Sequence, residues 1–295
     1  MTIKELDNLL KDSYSKETCY PKCKDIWSND NPTLGHCAIV SLIVNDYFNG
    51  EIYKTKVNGI SHYFNIINNE IVDLTTDQFK EDIDYSNKEL KTRDSILEDK
   101  DTLFRYNLLK LLLVDKEIHK CNLCNDMIEK FPNNKTVSIG KRNDIVILGE
   151  APANNGWRKS GVAWYDVNHK LLPSGVVLQK LLEELDLKIE DTYFLEAIKC
   201  FPKNRKYLNK CSQNCKKYLF KQLEIIKPKI VLSLGDAATK SILDINYKKF
   251  SDIVGKEFDI NGYKVIPIYH PSPISPMSYK GNIEIFKNIK SGGLL

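Results

Sequence analysis

Four short apolar runs in the second half of the chain each end abruptly on polar residues, and they constrain the fold more than any other feature. NDIVILGE (143–150), YFLEAIKC (193–200), KIVLSLG (229–235) and YKVIPIYH (263–270) are strand-length. Segments of helical period separate or follow them, at 175–187, 212–227 (stopped by Pro228), 236–244 and 282–289. Strands alternating with helices form a parallel sheet covered on both faces. This half is therefore expected to be α/β, a three-layer α/β/α domain with a parallel central sheet. In such sheets the loops at the carboxyl ends of the strands build the site. GEAP (149–152), KCFPKNR (199–205) and HPSP (270–273) fall there. Glu150 and His270 are thus expected to converge on one hydrolytic pocket despite their separation in sequence.

The first half reads as α+β. Residues 3–11 have the pattern of a short amphipathic helix, and 19–32 are irregular. LGHCAIVSLIVNDYF (34–48) is an apolar helix that stops at Asn49-Gly50. Strand-like segments follow at 51–57, 61–67 and 70–75, the last two joined by Asn68-Asn69 in a tight hairpin. Residues 80–101 are polar and acidic without a clear period, which places a domain boundary there. Asp101 then caps a helix over 102–121. The expected domains are 1–100 and 101–295, and 295 residues suit two modest domains.

The net charge of +4 conceals an asymmetry. Residues 1–116 carry 15 Lys and Arg against 20 Asp and Glu, and residues 117–295 carry 28 against 19. A half with net charge +9 joined to one of −5 suggests that one half meets a polyanion. No apolar run approaches 18 residues and the first residues lack a secretory apolar core, so no membrane partner and a cytoplasmic location are expected. Eight cysteines in a reducing compartment act as metal ligands or nucleophiles more often than as disulfides. A monomer is the expected state.

The ordered set GEAP, Gly161-x-x-Trp164, KC-x-P-x-NR, KPKIVLSLG (227–235) and YHPSP resembles the uracil-DNA glycosylase superfamily over roughly residues 117–292, nearest its iron–sulfur family-4 type. Each motif alone is weak, but five in this order are specific. The resemblance implies cleavage of the N-glycosidic bond of a flipped nucleotide. It makes Glu150 the carboxylate that orients water and stabilises the sugar cation, and His270 the donor to the departing base. Ala151 of GEAP, Trp164 as a stacking ring, and Glu196 fall at base-binding positions. Arg158, Lys203, Arg205 and Ser272 are candidates for DNA contact, with Met277 and Tyr279 as groove wedges.

Cysteines add a separate signal. Cys121-x2-Cys124, Cys200 and Cys215 match the family-4 ligand pattern for a [4Fe–4S] cluster. On residue type alone four thiolates suit zinc equally, so zinc is the alternative. Cys211 reads as a bystander.

Departures from the family pattern matter as well. GEAP is followed by Ala153, Asn154 and Asn155, where the family has Gly and an acidic, Gly-rich stretch. The family reads uracil with an Asn on the strand before KC, and Glu196 stands there instead. An amide donates and accepts, whereas a carboxylate only accepts. The target is therefore either uracil or a modified base of cytosine type that offers an exocyclic amine.

The first half holds a second constellation. Cys37 opens the apolar helix, His62 lies on one strand and Asp73 on the next in hairpin register, an order that resembles papain-like hydrolases. Residues of about 13–82, including NP-x-LGHCA, SHYFN and VDLT, look like YunG-like bacterial domains. The resulting alternatives are a DNA glycosylase fused to a papain-like domain, a thiol hydrolase with a glycosylase-like DNA-targeting module, and a non-catalytic sensor of modified DNA. Cys19-x3-Cys23 is weaker, a partial metal set that would need Cys37 or His36.

Overall fold

A computed structural model describes residues 1–130, 135–153 and 156–295. Asn154 and Asn155 of the sequence argument lie outside the described residues. The chain divides into two compact units, Met1–Lys116 and Glu117–Leu295.

In the first unit, α1 (Ile3–Lys11) starts with a capping box between Thr2 and Glu5. Helix α2 (Cys37–Phe48) buries every residue from Ile39 to Val44, and ends where Asn49 adopts a left-handed conformation with φ of 53°. Strands β1 (Glu51–Val57), β2 (Ile60–Ile67) and β3 (Glu70–Val72) form an antiparallel sheet. The β2–β3 hairpin turns at Asn68 and Asn69, both at positive φ, with Ile67 paired to Glu70. This is the tight turn the two asparagines specify, because Asn tolerates the left-handed region. Strand β3 is shorter than the 70–75 run: Asp73 bends its carboxylate back to the N–H and hydroxyl of Thr75.

The acidic stretch after residue 80 is not wholly irregular. It contributes β4 (Glu89–Lys91), which pairs with β1, and α3 (Arg93–Leu97), capped by the Thr92 hydroxyl. The sheet order is β3-β2-β1-β4. Helix α4 (Lys100–Lys120) follows. Its cap is Asp99, whose carboxylate accepts from the Thr102 N–H, while Asp101 lies inside the helix and pairs with Arg105. The division between units at 116/117 falls within α4, because Tyr106, Leu109 and Leu113 pack into the core of the first unit with Leu6, Leu10, Ile39 and Ile43.

The second unit opens with β5 (Ile128–Glu129), β6 (Val137–Ser138) and β7 (Ile145–Gly149). Then come α5 (Trp157–Ser160), α6 (Pro173–Glu183), β8 (Tyr193–Glu196) and β9 (Phe201–Pro202). The remainder is α7 (Leu208–Ile226), β10 (Ile230–Leu234), α8 (Gly235–Ile242), β11 (Phe258–Ile260), β12 (Tyr263–Ile268) and α9 (Ile283–Ser291). The main sheet runs β11-β12-β10-β7-β8-β6, with the inner four strands parallel and both edges antiparallel.

All five residues of β7 and of β10 are buried, as strands covered on both faces require, and the one polar residue among them, Ser233, is bonded to the Thr239 hydroxyl. Ile145, Ile147, Leu232 and Ile266 pack with Leu178, Leu181, Phe286 and Ile289 of α6 and α9. Val146, Leu148 and Val231, which point to the opposite face, are equally buried. The predicted three-layer α/β/α architecture with a mostly parallel sheet is what the chain adopts. Strands β5 and β9 pair separately and clip the segment after Cys124 to the loop after Cys200. Among the described residues no helix is long and apolar enough to cross a membrane.

Candidate active site

The carboxyl ends of β7, β8, β10 and β12 open onto one cavity of about 1320 Å³. Its walls include Glu150 and Ala151 after β7, Trp157, Trp164, Phe194 and Glu196, the 201–205 loop, Asp236 of α8, and His270 and Ser272 after β12. The sheet places these groups: Gly149 pairs with Glu196 across β7 and β8, and Ala197 and Ile198 donate to the carbonyls of Gly149 and Glu150. Two carboxylate-bearing residues, 46 positions apart in the chain, are thereby held on neighbouring strand ends.

Glu150 is partly exposed and meets Arg205 through two contacts, Nη1 to Oε1 and Nη2 to Oε2, each at 3.1 Å. Arg205 itself is largely in solvent. His270 is exposed to the cavity. The partial loss of water around its ring disfavours the imidazolium more than the nearby Glu150 carboxylate favours it, so His270 titrates below its ordinary value. It is neutral near pH 7 and can donate one N–H.

Arg158 does not lie on the surface. It is buried, stacks over the Trp157 ring at 4.8 Å, and donates from Nε (3.1 Å) and Nη2 (2.7 Å) to Glu196 Oε2. Its assignment to DNA phosphate is therefore corrected: a guanidinium inside the wall, paired with a buried carboxylate, has no solvent-facing head to offer. Burying Glu196 demands such a partner, because an unpaired charge in the interior is strongly unfavourable.

Trp164 is mostly buried, adopts φ of 69°, and packs on Phe194 with ring centroids 4.8 Å apart while lining the cavity. Lys203 and Arg205 are exposed on the 201–205 loop. The loop after β12 exposes Ile274, Met277 and Tyr279, with Ile274 92% accessible. Ile274, Phe194 and Asp236 were not singled out from the sequence. The apolar residue after HPSP was a legible signal for Ile274.

Cys121, Cys124, Cys200 and Cys215 line a second, separate void, and Cys211 joins them. Cys211 and Cys215 are one helical turn apart on α7. Asn214 donates to Cys124 Sγ at 3.1 Å and to the Leu123 carbonyl. Burial, reinforced by the neighbouring thiols, raises Cys200 to about 11 and Cys211 to about 12. Among the described residues no three of these groups are gathered as they would be around a single ion. The donor set is four soft sulfurs plus a fifth, with a Lys199 head buried close by, and this chemistry fits thiolate-bound iron or zinc.

In the first unit Cys37 is the first residue of α2 and is partly exposed. His62 is buried, with Nε2 2.5 Å from Asp73 Oδ2. Asp73 is held in turn by Thr75 and by the Tyr85 hydroxyl at 3.0 Å. Burial opposes charge on His62, but the hydrogen bonds to Asp73 and Cys37 outweigh it and lift its pKa to about 9. Gln78 Nε2 lies 3.3 Å from His62 Nδ1 and 2.9 Å from the Thr75 carbonyl. Both nitrogens of His36 are occupied, by Thr18 and the Leu34 carbonyl, so it is not placed as a ligand for Cys19 and Cys23.

Residues 138–290 match the family model described as the uracil DNA glycosylase superfamily. The chain belongs to the uracil-DNA glycosylase superfamily. It is a glycosylase-type hydrolase. Type-4 uracil-DNA glycosylases of Archaeoglobus fulgidus and Thermotoga maritima are 29% and 30% identical to it over 168 and 165 residues. Each alignment spans 54% of this chain and 80% of the relative. The superfamily match coincides with the unit that carries the cavity. Residues 2–117 match a different family, YunG protein, and the YunG protein of Bacillus subtilis is 28% identical over 98 residues, 33% of this chain and 81% of that protein.

Proposed function

We propose that the chain excises a base from DNA by hydrolysing its N-glycosidic bond. The convergence of Glu150 and His270 on one cavity carries this reading. Cleavage develops positive charge on the sugar and negative charge on the base. The Glu150 carboxylate orients water and stabilises the cation, and neutral His270 donates its N–H to the leaving base. A flipped base enters the cavity and stacks against the Trp164–Phe194 wall beside Ala151. Lys203, Arg205 and Ser272 meet phosphate, while Met277 and Tyr279, with Ile274, enter the groove.

The target is uracil or a modified base of cytosine type, and Glu196 favours one that carries an exocyclic amine. Glu196 stands on the wall as an acceptor fixed by Arg158, complementary to an amine such as that of cytosine-type bases and repulsive toward the O4 of uracil. Cys121, Cys124, Cys200 and Cys215 hold a [4Fe–4S] cluster, with zinc as the alternative. The metal's role is structural: it fixes the 200–215 region beside the DNA. Uracil, cytosine and modified-cytosine oligonucleotides test the reading. Abasic sites that disappear with Glu150→Ala support it, and none on any substrate overturns it. Uracil released as fast as every amine-bearing base overturns only the amine preference.

A second reading, a thiol hydrolase with the glycosylase-like unit as its DNA-directed module, is favoured by the Cys37–His62–Asp73 arrangement. Base release requires Glu150 and not Cys37, so the same assays separate the two.

A further inference from the structure

The first unit contains a nucleophile, a base and an orienting carboxylate that base excision does not use. Asp73 occupies Nε2 of His62, so Nδ1 is the ring nitrogen left to take a proton from Cys37. The Asp73 carboxylate is fixed by three donors, which sets the tilt of the imidazole. Cys37 sits in the first turn of a twelve-residue helix whose N-cap, His36, makes no side-chain capping bond. Unpaired N–H groups of a first turn point outward and favour negative charge.

Gln78 adds an observation of a different kind. Its Nε2 carries two hydrogens: one reaches the Thr75 carbonyl at 2.9 Å, and the other faces Nδ1 of His62 at 3.3 Å. The Thr75 contact fixes the amide. With His62 lifted to about 9, Nδ1 holds the thiol proton at pH 7 and accepts no hydrogen bond, so the second Gln78 hydrogen has no acceptor there. A donor held beside the imidazolium without an acceptor of its own is placed to serve the negative oxygen that the thiolate's attack creates.

We propose that the first unit is an acyl hydrolase in which Cys37 attacks a carbonyl carbon, His62 shuttles the proton, Asp73 orients His62, and Gln78 with the α2 N–H groups binds the oxyanion. The proposal rests on the thiol-hydrolase reading and goes further by naming acyl compounds as substrates and Gln78 as the oxyanion donor. In the first step the Cys37 Sγ–C bond forms, the bond to the leaving amine or alkoxide breaks, and His62 returns the thiol proton to that leaving group. Water, deprotonated by His62, then cleaves the thioester, releasing the acid and restoring the thiol.

The test uses the full chain with p-nitrophenyl acetate at pH 7 and peptide mass mapping of the acetylated residue. Cys37 is expected to acetylate at least ~100-fold faster than the same residue in the urea-unfolded chain, and then to turn over. His62→Gln should abolish that advantage. Iodoacetamide, which forms no oxyanion, separates the two levels: Gln78→Ala should slow acetylation while leaving the alkylation rate of Cys37 as it was. A folded chain whose Cys37 reacts no faster than the unfolded one with either reagent overturns the thiol-hydrolase reading. Rapid alkylation without accelerated acetylation, an acetyl group that persists, or equal acetylation in Gln78→Ala overturns the acyl-hydrolase proposal alone.

Discussion

Arg158 and Glu196 form an ion pair inside the cavity wall, Nη2 to Oε2 at 2.7 Å, with both side chains almost wholly excluded from solvent. Removing one member leaves the other charged and buried, which costs about 3–5 kcal/mol. Arg158→Ala is expected to destabilise the protein by that amount in urea melts. Replacing both residues by apolar ones of similar volume should cost far less, and a double-mutant cycle measures the coupling.

In the proposed reaction Glu150 and His270 act on opposite sides of the bond to be cleaved. Glu150→Ala should reduce abasic-site formation by about 10²–10⁴-fold, and His270→Ala by a comparable factor. Oligonucleotide binding, read by fluorescence anisotropy, should persist in both variants. Arg205→Ala should weaken binding and reduce its salt dependence, because the residue is exposed and reaches solvent beside Glu150.

The five clustered thiols are expected to divide into ligands and a neighbour. Cys121→Ser, Cys124→Ser, Cys200→Ser and Cys215→Ser should each lower bound iron and inorganic sulfide in the purified protein. Cys211→Ser should retain both. Stoichiometric zinc without sulfide would assign the site to zinc.

Acid should weaken the first unit through His36. Burial holds this imidazole down to about 4, against an unfolded value of about 6.5. The depressed value favours the neutral form in the fold. Its contribution is therefore complete above pH 6.5 and is lost as pH falls from 6.5 to 4, a few kcal/mol at most. Thermal melts of the full chain across that window should fall more steeply than those of His36→Gln.

The strand ends are legible in the sequence, because each apolar run gives way to polar residues just past the carboxyl end of its strand. Glu150 and His270 line one cavity at those ends, and the four cysteines line another void. Arg158 was not legible. In sequence it is one base among several in a polar loop, and only its pairing with a residue 38 positions away buries it. The same holds for β4 and α3, which lack a local period and are fixed by β1 and the Thr92 cap. Asp99 and Asp101 are both competent caps, and a spacing of two residues is finer than pattern alone resolves.

Gly149 and Glu196 are register partners on adjacent parallel strands, so the groups proposed to break the bond and to choose the base hang from separate tips of one rigid sheet. Such a layout allows the two tasks to diverge independently. Selection can trade the residue at the end of β8, with its partner on α5, and so change which lesion is admitted without disturbing the carboxylate one strand away.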